Sequence, residues 1–295
     1  MKLLLVGASG VLGSRLYNDV IKKKWDILGT YCSHEHEGLF RLDLRQRKSI
    51  EKVFNFFNPE VVILAGGITD VDLCEKRPGL AEEVNIKGTL DVIKKTRACG
   101  ARLVFLSTDY IFDGRNGPYK EEDMPEPVNI YGRTKLEAET AVRGISHDYL
   151  IIRTAQLYGV NHRGKNYAVK IIQNMRNNKE VSAAYDFYST PTYAGALSGS
   201  IIKLIEKKHT GIFHIAGKDF TDRYSYVSKI SEIFGLKKTL IKKVSLKDLH
   251  LTARRPLKAG LNTDKAGKFL GGLLIGVDKG IGLLKDEFHE IGYKV

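Results

Sequence analysis

A chain of 295 residues with a net charge of +13, 43% hydrophobic and 27% charged, has the composition of an ordinary globular protein. The length suits one large α/β domain or two intimate lobes around a sizeable core, and no apolar run approaches the ~18 residues needed to span a membrane. Cys32, Cys74 and Cys99 are few, odd in number and without ligand-like spacing, which points to a reducing cytoplasm and speaks against a disulfide framework or zinc site.

The opening segment MKLLLVGASGVLG imitates a secretion signal, but three glycines interrupt it and SRLYNDVIKKKW continues as an amphipathic helix. It therefore reads as a first strand and turn. Further apolar runs at DILGTY, EVVIL, RLVFLS and YLIIRT lack strict alternation, as strands covered on both faces do. Amphipathic segments at 11–24, 49–57, 79–99 and 129–143 lie between them. This rhythm predicts parallel strands joined by crossover helices, a doubly wound Rossmann-type sheet. Beyond about Thr154 the rhythm loosens, with one further strand at GIFHIA and a helix over 224–234. The expected division is a cofactor-binding domain over 1–153 and a smaller substrate lobe over 154–295. No Pro/Gly/Ser-rich linker separates the two, so the lobe should interleave with the sheet.

LLLVGASGVLGSRL sets Gly7, Gly10 and Gly13 between the first strand and the first helix. Gly7 permits a tight turn, Gly10 lets backbone N–H groups approach a diphosphate, and Gly13 allows close helix–strand packing. The diphosphate would sit on the positive end of the helix. A tight turn with no ligand would use the same glycines. An acid that binds the adenosine ribose belongs at the end of the second strand, where GTYCSH has none before Glu35. That leaves room for a 2′-phosphate, with Ser33, His34 or Arg41 as contacts, so NADP(H) is favoured and NAD(H) is the alternative. Asp43, in RLDLR, would either hydrogen-bond the adenine or cap the helix that follows.

The run FLSTDYIFDG puts Ser107, Thr108 and Asp109 at the carboxyl edge of the sheet, where open α/β sheets bind ligands. Next comes a helix bearing YGRTK, with Tyr131 and Lys135 on one face. A free tyrosine, with a pKa near ~10, is a sluggish proton donor, and a neighbouring ammonium lowers that value. Thr108 would orient a carbonyl, and Lys135 would also hold the nicotinamide ribose. Such a trio transfers a proton while the cofactor transfers hydride. The plain alternative is an exposed helix with an incidental Tyr/Lys pair.

Between residues 237 and 258 eight Lys/Arg face one acid, Asp248. With no nucleic-acid-binding motif, this reads as a solvated basic surface or a site for a phosphorylated small molecule. His162, His209 and His214 have no ligand-like grouping, and no metal is expected.

Taken together, GASGVLG, TDVDLCEKRPGLAEEVNIKGT, STDYIFDG, GPYKEEDMPEPVNIYGRTKLEAE, RTAQLYG, STPTYAG and RRPLKAGLNTDKA cover nearly the whole chain. In order and spacing they resemble the extended short-chain dehydrogenase/reductases, and within them the dTDP-4-dehydrorhamnose reductase family. The resemblance implies a cytoplasmic NADPH-dependent reductase of a nucleotide-linked 4-keto-6-deoxy sugar, with Thr108, Tyr131 and Lys135 catalytic. It implies cofactor contacts at Gly7, Ser9, Gly10, Val11, Leu12, Gly13, Ser33, Asp43, Leu44, Ala65, Gly66 and Gly67, besides Tyr131 and Lys135. Asp109, Gln156 and Arg255 would face the sugar nucleotide, Arg255 on a phosphate or a pocket carboxylate unless it serves to hold the lobes together. A homodimer is compatible with this reading. The chain departs from the family pattern at Gln156, where Trp is common, at Phe187, and at Leu64, where an Asn is usual. FDGRNGPYKEEDMPEPVNIYGRTKLEAE also resembles the regulatory β subunit of methionine adenosyltransferase, a binding partner on the same fold. A nucleotide-sugar epimerase or dehydratase is a third reading.

Overall fold

Runs of Val, Ile and Leu that lack alternation form the strands of one central sheet: β1 (Lys2–Val6), β2 (Asp26–Tyr31), β3 (Phe40–Arg41), β4 (Val61–Leu64), β5 (Arg102–Thr108) and β6 (Tyr149–Thr154). The computed structural model describes residues 1–33, 35–145, 148–160 and 166–290. Short strands follow at β7 (Leu157–Tyr158), β8 (Val181–Ala184), β9 (Tyr188–Ser189) and β10 (Thr192–Tyr193). The last three are β11 (Gly211–His214), β12 (Thr221–Asp222) and β13 (Ile241–Val244). The main sheet is seven-stranded in the order β11-β6-β5-β4-β1-β2-β3, and every pairing in it is parallel. Strand order therefore reverses between β1 and β4, which opens a crevice at their carboxyl ends.

The crossover helices bury one stripe each. Those of the first half are α1 (Val11–Lys22), α2 (Arg47–Phe57), α3 (Val71–Lys76), α4 (Pro78–Glu82), α5 (Thr89–Ala98) and α6 (Ile130–Ile145). The second half adds α7 (Tyr167–Arg176), α8 (Ala194–Glu206), α9 (Arg223–Phe234), α10 (Asp264–Leu270) and α11 (Val277–Glu290). On one face of the sheet Leu12, Leu16 and Val20 of α1 pack with Leu197, Ile201 and Ile205 of α8. On the other, α2, α5 and α6 bury Ile50, Phe54, Val92, Ala138 and Val142. Each large aliphatic side chain so covered contributes roughly 1.5–3 kcal/mol. The lobe has its own core of α7, α9 and α11 around Ile172, Tyr226, Ile230 and Leu284.

The helix expected over 79–99 is present and continuous, but its middle is not α-helical. A π-helical turn, Glu83–Gly88, separates α4 from α5. It carries Asn85, whose side-chain amide grips both backbone polar groups of Ile68. Among the described residues, no helix is long and apolar enough to cross a membrane.

Candidate functional site

At the crevice the backbone approaches itself too closely for side chains. Gly7 has φ +93°, and a Cβ there would lie 2.7 Å from the Gly66 nitrogen. At Gly13 a Cβ would overlap the Gly7 carbonyl oxygen. Gly10 caps α1 with no side-chain hydrogen bond, and no acid occupies the first turn. The Gly10 amide donates to the Gly7 carbonyl at 3.1 Å, so it is the amides of the first turn, from Val11 on, that are left without an intrahelical acceptor, which suits an anion. Leu12 is different: its side chain is in the core, so only its backbone can serve a ligand. Ala65 and Gly66 are half-buried and Gly67 is exposed, so this loop forms the opposite wall. These features fit a dinucleotide diphosphate.

Cys32 and Ser33 are exposed at the end of β2; His34 lies outside the described residues. The charges of Arg41 and Arg45 both act on the Cys32 thiol. Asp43 is neither free nor a helix cap. Its carboxylate is gripped by Arg45, Nε to Oδ1 at 3.0 Å and Nη2 to Oδ2 at 2.7 Å, and this bonding holds it below the usual carboxylate range. The cap of α2 is Gln46 instead. Leu44 is buried, and its backbone carbonyl packs against Gly88. A groove of about 380 Å³ runs from Leu44 and Arg45 to Glu83 and Lys87.

Thr108, Tyr131 and Lys135 come together at the end of β5. A Cβ on Gly132 would overlap the carbonyl oxygen of Tyr110, so this glycine lets α6 press on the turn after β5. The Thr108 side chain neighbours the Tyr131 hydroxyl and works to lower its pKa, while Thr108 Oγ1 itself donates to Asp109 and accepts from the Tyr110 amide. Lys135 Nζ donates to the Leu106 carbonyl at 2.6 Å and lies 4.1 Å from the Phe105 ring centroid. Burial pushes the Lys135 ammonium down to about 8. The Tyr131 phenol is raised, not lowered: burial dominates, and the Asp109 carboxylate adds to it. The expected lowering by Lys135 does not figure among the causes, and its ammonium bonds the Leu106 carbonyl.

Asp109 was expected against the sugar. Its oxygens accept from Thr108 at 3.2 Å and Ser189 at 3.3 Å, and burial raises it to about 6. It orients Thr108 from behind. Gln156 has φ +36°, and its Nε2 is buried without a partner, as are Ser107 Oγ and Thr154 Oγ1. Thr154 stands in register with Thr108. Unsatisfied polar atoms at one sheet edge are what a polar ligand would complete. Arg255 bonds Asp72 at 3.0 Å and the Ala253 carbonyl at 2.9 Å. Its partner is therefore a carboxylate at the start of α3, and Asp72 also accepts from the Ala253 amide. Phe187 is buried beneath Arg223, and Leu64 is fully buried in β4.

Sequence reasoning passed over Asn85. Besides Ile68 it donates to Thr134 on α6 at 3.2 Å, tying the 65–68 loop to the helix of Tyr131 and Lys135. The only sequence signal is a buried Asn in a helical stretch, VNIKGT. His214 is fully buried with Nδ1 against the Tyr119 carbonyl at 3.0 Å, and burial and Arg153 push it down to about 3. His162 lies outside the described residues.

A parallel sheet reversed at β1/β4, a glycine turn on the crevice and a Ser/Thr–Tyr–Lys cluster beside it define a nucleotide-binding α/β protein of the extended short-chain dehydrogenase/reductase class. The chain belongs to the RmlD substrate binding domain family, whose description matches residues 1–276. A dTDP-4-dehydrorhamnose reductase structure from Clostridium acetobutylicum superposes with a TM-score of 0.89 at 28% identity, over 98% of this chain and 100% of that one. The Bacillus anthracis dTDP-4-dehydrorhamnose reductase, solved in complex with NADP, gives 0.88 at 27% identity, over 97% and 99%. Methionine adenosyltransferase 2 subunit beta of Bos taurus is 28% identical over 271 residues, 90% of this chain and 81% of its own.

Proposed function

We propose that the chain is an NADPH-dependent reductase of a keto sugar carried on a nucleoside diphosphate, in the first instance a dTDP-linked 4-keto-6-deoxy sugar. The observation that carries this is the buried trio of Thr108 at the carboxyl end of β5 and Tyr131 and Lys135 on α6, with Lys135 bonded back to β5, at the same sheet edge as the open glycine turn. We assign cofactor binding to residues 1–153 and substrate binding to 154–295.

When bound, the nicotinamide supplies hydride. Everything else falls to side chains. Thr108, whose single O–H proton goes to Asp109 in the free protein, turns that proton to the sugar carbonyl and so orients it beside Tyr131. A phenol raised by burial is fully protonated at neutral pH, so Tyr131 holds its proton until the carbonyl oxygen gains charge, then donates it. The tyrosinate left behind would stand near the Asp109 carboxylate, a cost the Lys135 ammonium offsets by turning from the Leu106 carbonyl toward the phenolate as charge develops. Lys135 is also the donor placed to hold a ribose hydroxyl. At the end of β2, Arg41 supplies positive charge beside exposed Cys32 and Ser33, while Arg45 neutralises Asp43. That edge favours a 2′-phosphate over a bare ribose.

The test is NADPH oxidation by the purified chain against a panel of nucleoside-diphosphate keto sugars, beginning with dTDP-4-keto-6-deoxyglucose-derived compounds. Turnover of at least one supports the reading, and none across the panel sinks it. The similarity to the methionine adenosyltransferase subunit over 90% of the chain favours a second reading, a nucleotide-binding regulatory subunit. Co-purification of a synthetase with the chain, in the absence of reductase activity, would select it.

A further inference from the structure

Arg223 opens α9 in the second lobe, and none of the chemistry above uses it. Its backbone N–H donates to the Phe187 carbonyl at 3.0 Å. Its guanidinium lies 4.2 Å from the ring centroid of Tyr167 and 5.0 Å from that of Phe187. Stacking of this kind fixes the guanidinium plane and leaves its edge free to donate. That edge is unsatisfied, because Nη1 is buried with no hydrogen-bond partner. Three inward arginines, by contrast, are neutralised: Arg153 by Glu139, Arg255 by Asp72, and Arg15 by Asp19 and Glu287. A buried donor on a permanent cation is costly to leave unpaired, and an oxyanion is the partner that removes the cost.

A short series of contacts joins this group to the reacting end of the site. Arg223 follows β12 directly, and Thr221 of that strand pairs with Ser189 of β9. Ser189 donates to Asp109, which in turn accepts from Thr108. The charge of Arg223 is felt at both Asp109 and Tyr110. A sugar that carries its keto group at C4 and its diphosphate at C1 places an oxyanion one pyranose ring away from the carbonyl.

We propose that Arg223 receives a diphosphate oxygen of the nucleotide sugar, with Tyr167 and Phe187 holding its guanidinium plane toward that oxygen. The proposal rests on the nucleotide-sugar reading above. It moves the phosphate contact from Arg255, which is committed to Asp72, to a residue in the second lobe. Phe187, one of the departures from the family pattern, is then one face of the arginine's clamp.

Isothermal titration of the full chain, saturated with NADPH, with dTDP and UDP and separately with thymidine and uridine tests this. Arg223→Met keeps an apolar stem over the rings and removes the charge; Arg223→Lys keeps the charge without the planar fork. The expected result is at least a tenfold loss of nucleoside-diphosphate affinity in Arg223→Met and a partial recovery in Arg223→Lys. Nucleoside and NADPH affinities should match wild type in both. Equal dTDP and UDP binding by wild type and Arg223→Met overturns the proposal. A parallel loss of nucleoside affinity also overturns it, since that assigns Arg223 to holding the lobe. Wild-type protein that binds NADPH but neither nucleoside diphosphate sinks the nucleotide-sugar reading itself, a different failure from the first two.

Discussion

In the proposed reaction Tyr131 and Lys135 divide the work of one proton between them, and their environments make that division measurable. Replacing Tyr131 by Phe removes the acid but leaves the ring against Cys74, Ala81 and Tyr110. Turnover should fall by about two to four orders of magnitude, with NADPH affinity unchanged in a fluorescence titration. Lys135, held down to about 8 by burial, loses its charge above that pH. The kcat/KM profile, which reports the free enzyme, should therefore turn down near pH 8. Lys135→Arg keeps the cation at higher pH, so its profile should stay flat there even though its absolute rate is lower. A wild-type profile level to pH 9.5 would remove Lys135 from the mechanism. Stability has the opposite sign in the same window. The ammonium is disfavoured in the fold relative to its ordinary 10.5, so the unfolded chain binds the extra proton between about 8 and 10.5. The penalty is full below pH 8 and relieved as pH rises through that range.

At the scale of elements, the site depends on where α6 and the 65–68 loop are held. Asn85 bonds Ile68 twice and Thr134 once from within the π turn. Asn85→Ala would strand the Ile68 amide and carbonyl, at about 1–3 kcal/mol for each group left unpaired. Urea unfolding should show the loss, and turnover should fall with it because Lys135 sits on the tethered helix. Wild-type stability and rate in that variant would mean the π turn serves neither. The glycine turn was legible from the sequence because its constraints are local: Gly7, Gly10 and Gly13 act within one strand–turn–helix unit. YGRTK was legible for the same reason, since helical periodicity alone puts Tyr131 beside Lys135. The π turn at Glu83–Gly88 was not, nor were the bonds of Asn85 within it, which reach a loop and a helix outside its own element. Nor was the partner of Arg255, an aspartate in α3 far back along the chain. The direction of the Tyr131 shift was also missed: spacing shows which charge is near, whereas burial depends on the assembled fold.

Across the whole molecule, the two halves share a sheet and a buried charge network. Arg153 of β6 and Glu139 of α6 pair at 2.8 Å with almost no exposure, 2% and 0%. Arg153 also contacts His214 of β11, whose backbone N–H donates to Glu121 at 2.8 Å. Because His214 is held neutral, the carboxylate of Glu139 is what balances the guanidinium. Glu139→Gln should therefore destabilise the protein by about 3–5 kcal/mol, the cost of breaking one side of a buried pair, seen as a lower midpoint in urea. The proposed division at residue 153 has a consequence of the same kind. A fragment of residues 1–153 lacks β11 and should aggregate or stay unfolded, as judged by light scattering and circular dichroism; a soluble, cooperatively folding fragment would contradict this.

The arrival of β11 from the second half also sets a schedule for synthesis. Translation delivers YLIIRT, the β6 segment, well before GIFH, and until then β6 is the open edge of the sheet. At 5–20 residues per second the interval from Thr154 to Gly211 lasts roughly 3–11 s. During that time a row of unpaired backbone groups flanked by Leu150, Ile151 and Ile152 faces the surroundings of the ribosome. Pauses placed in that stretch of the message would lengthen the exposure, and nascent chains crowded on one polysome would have the means to pair edge to edge.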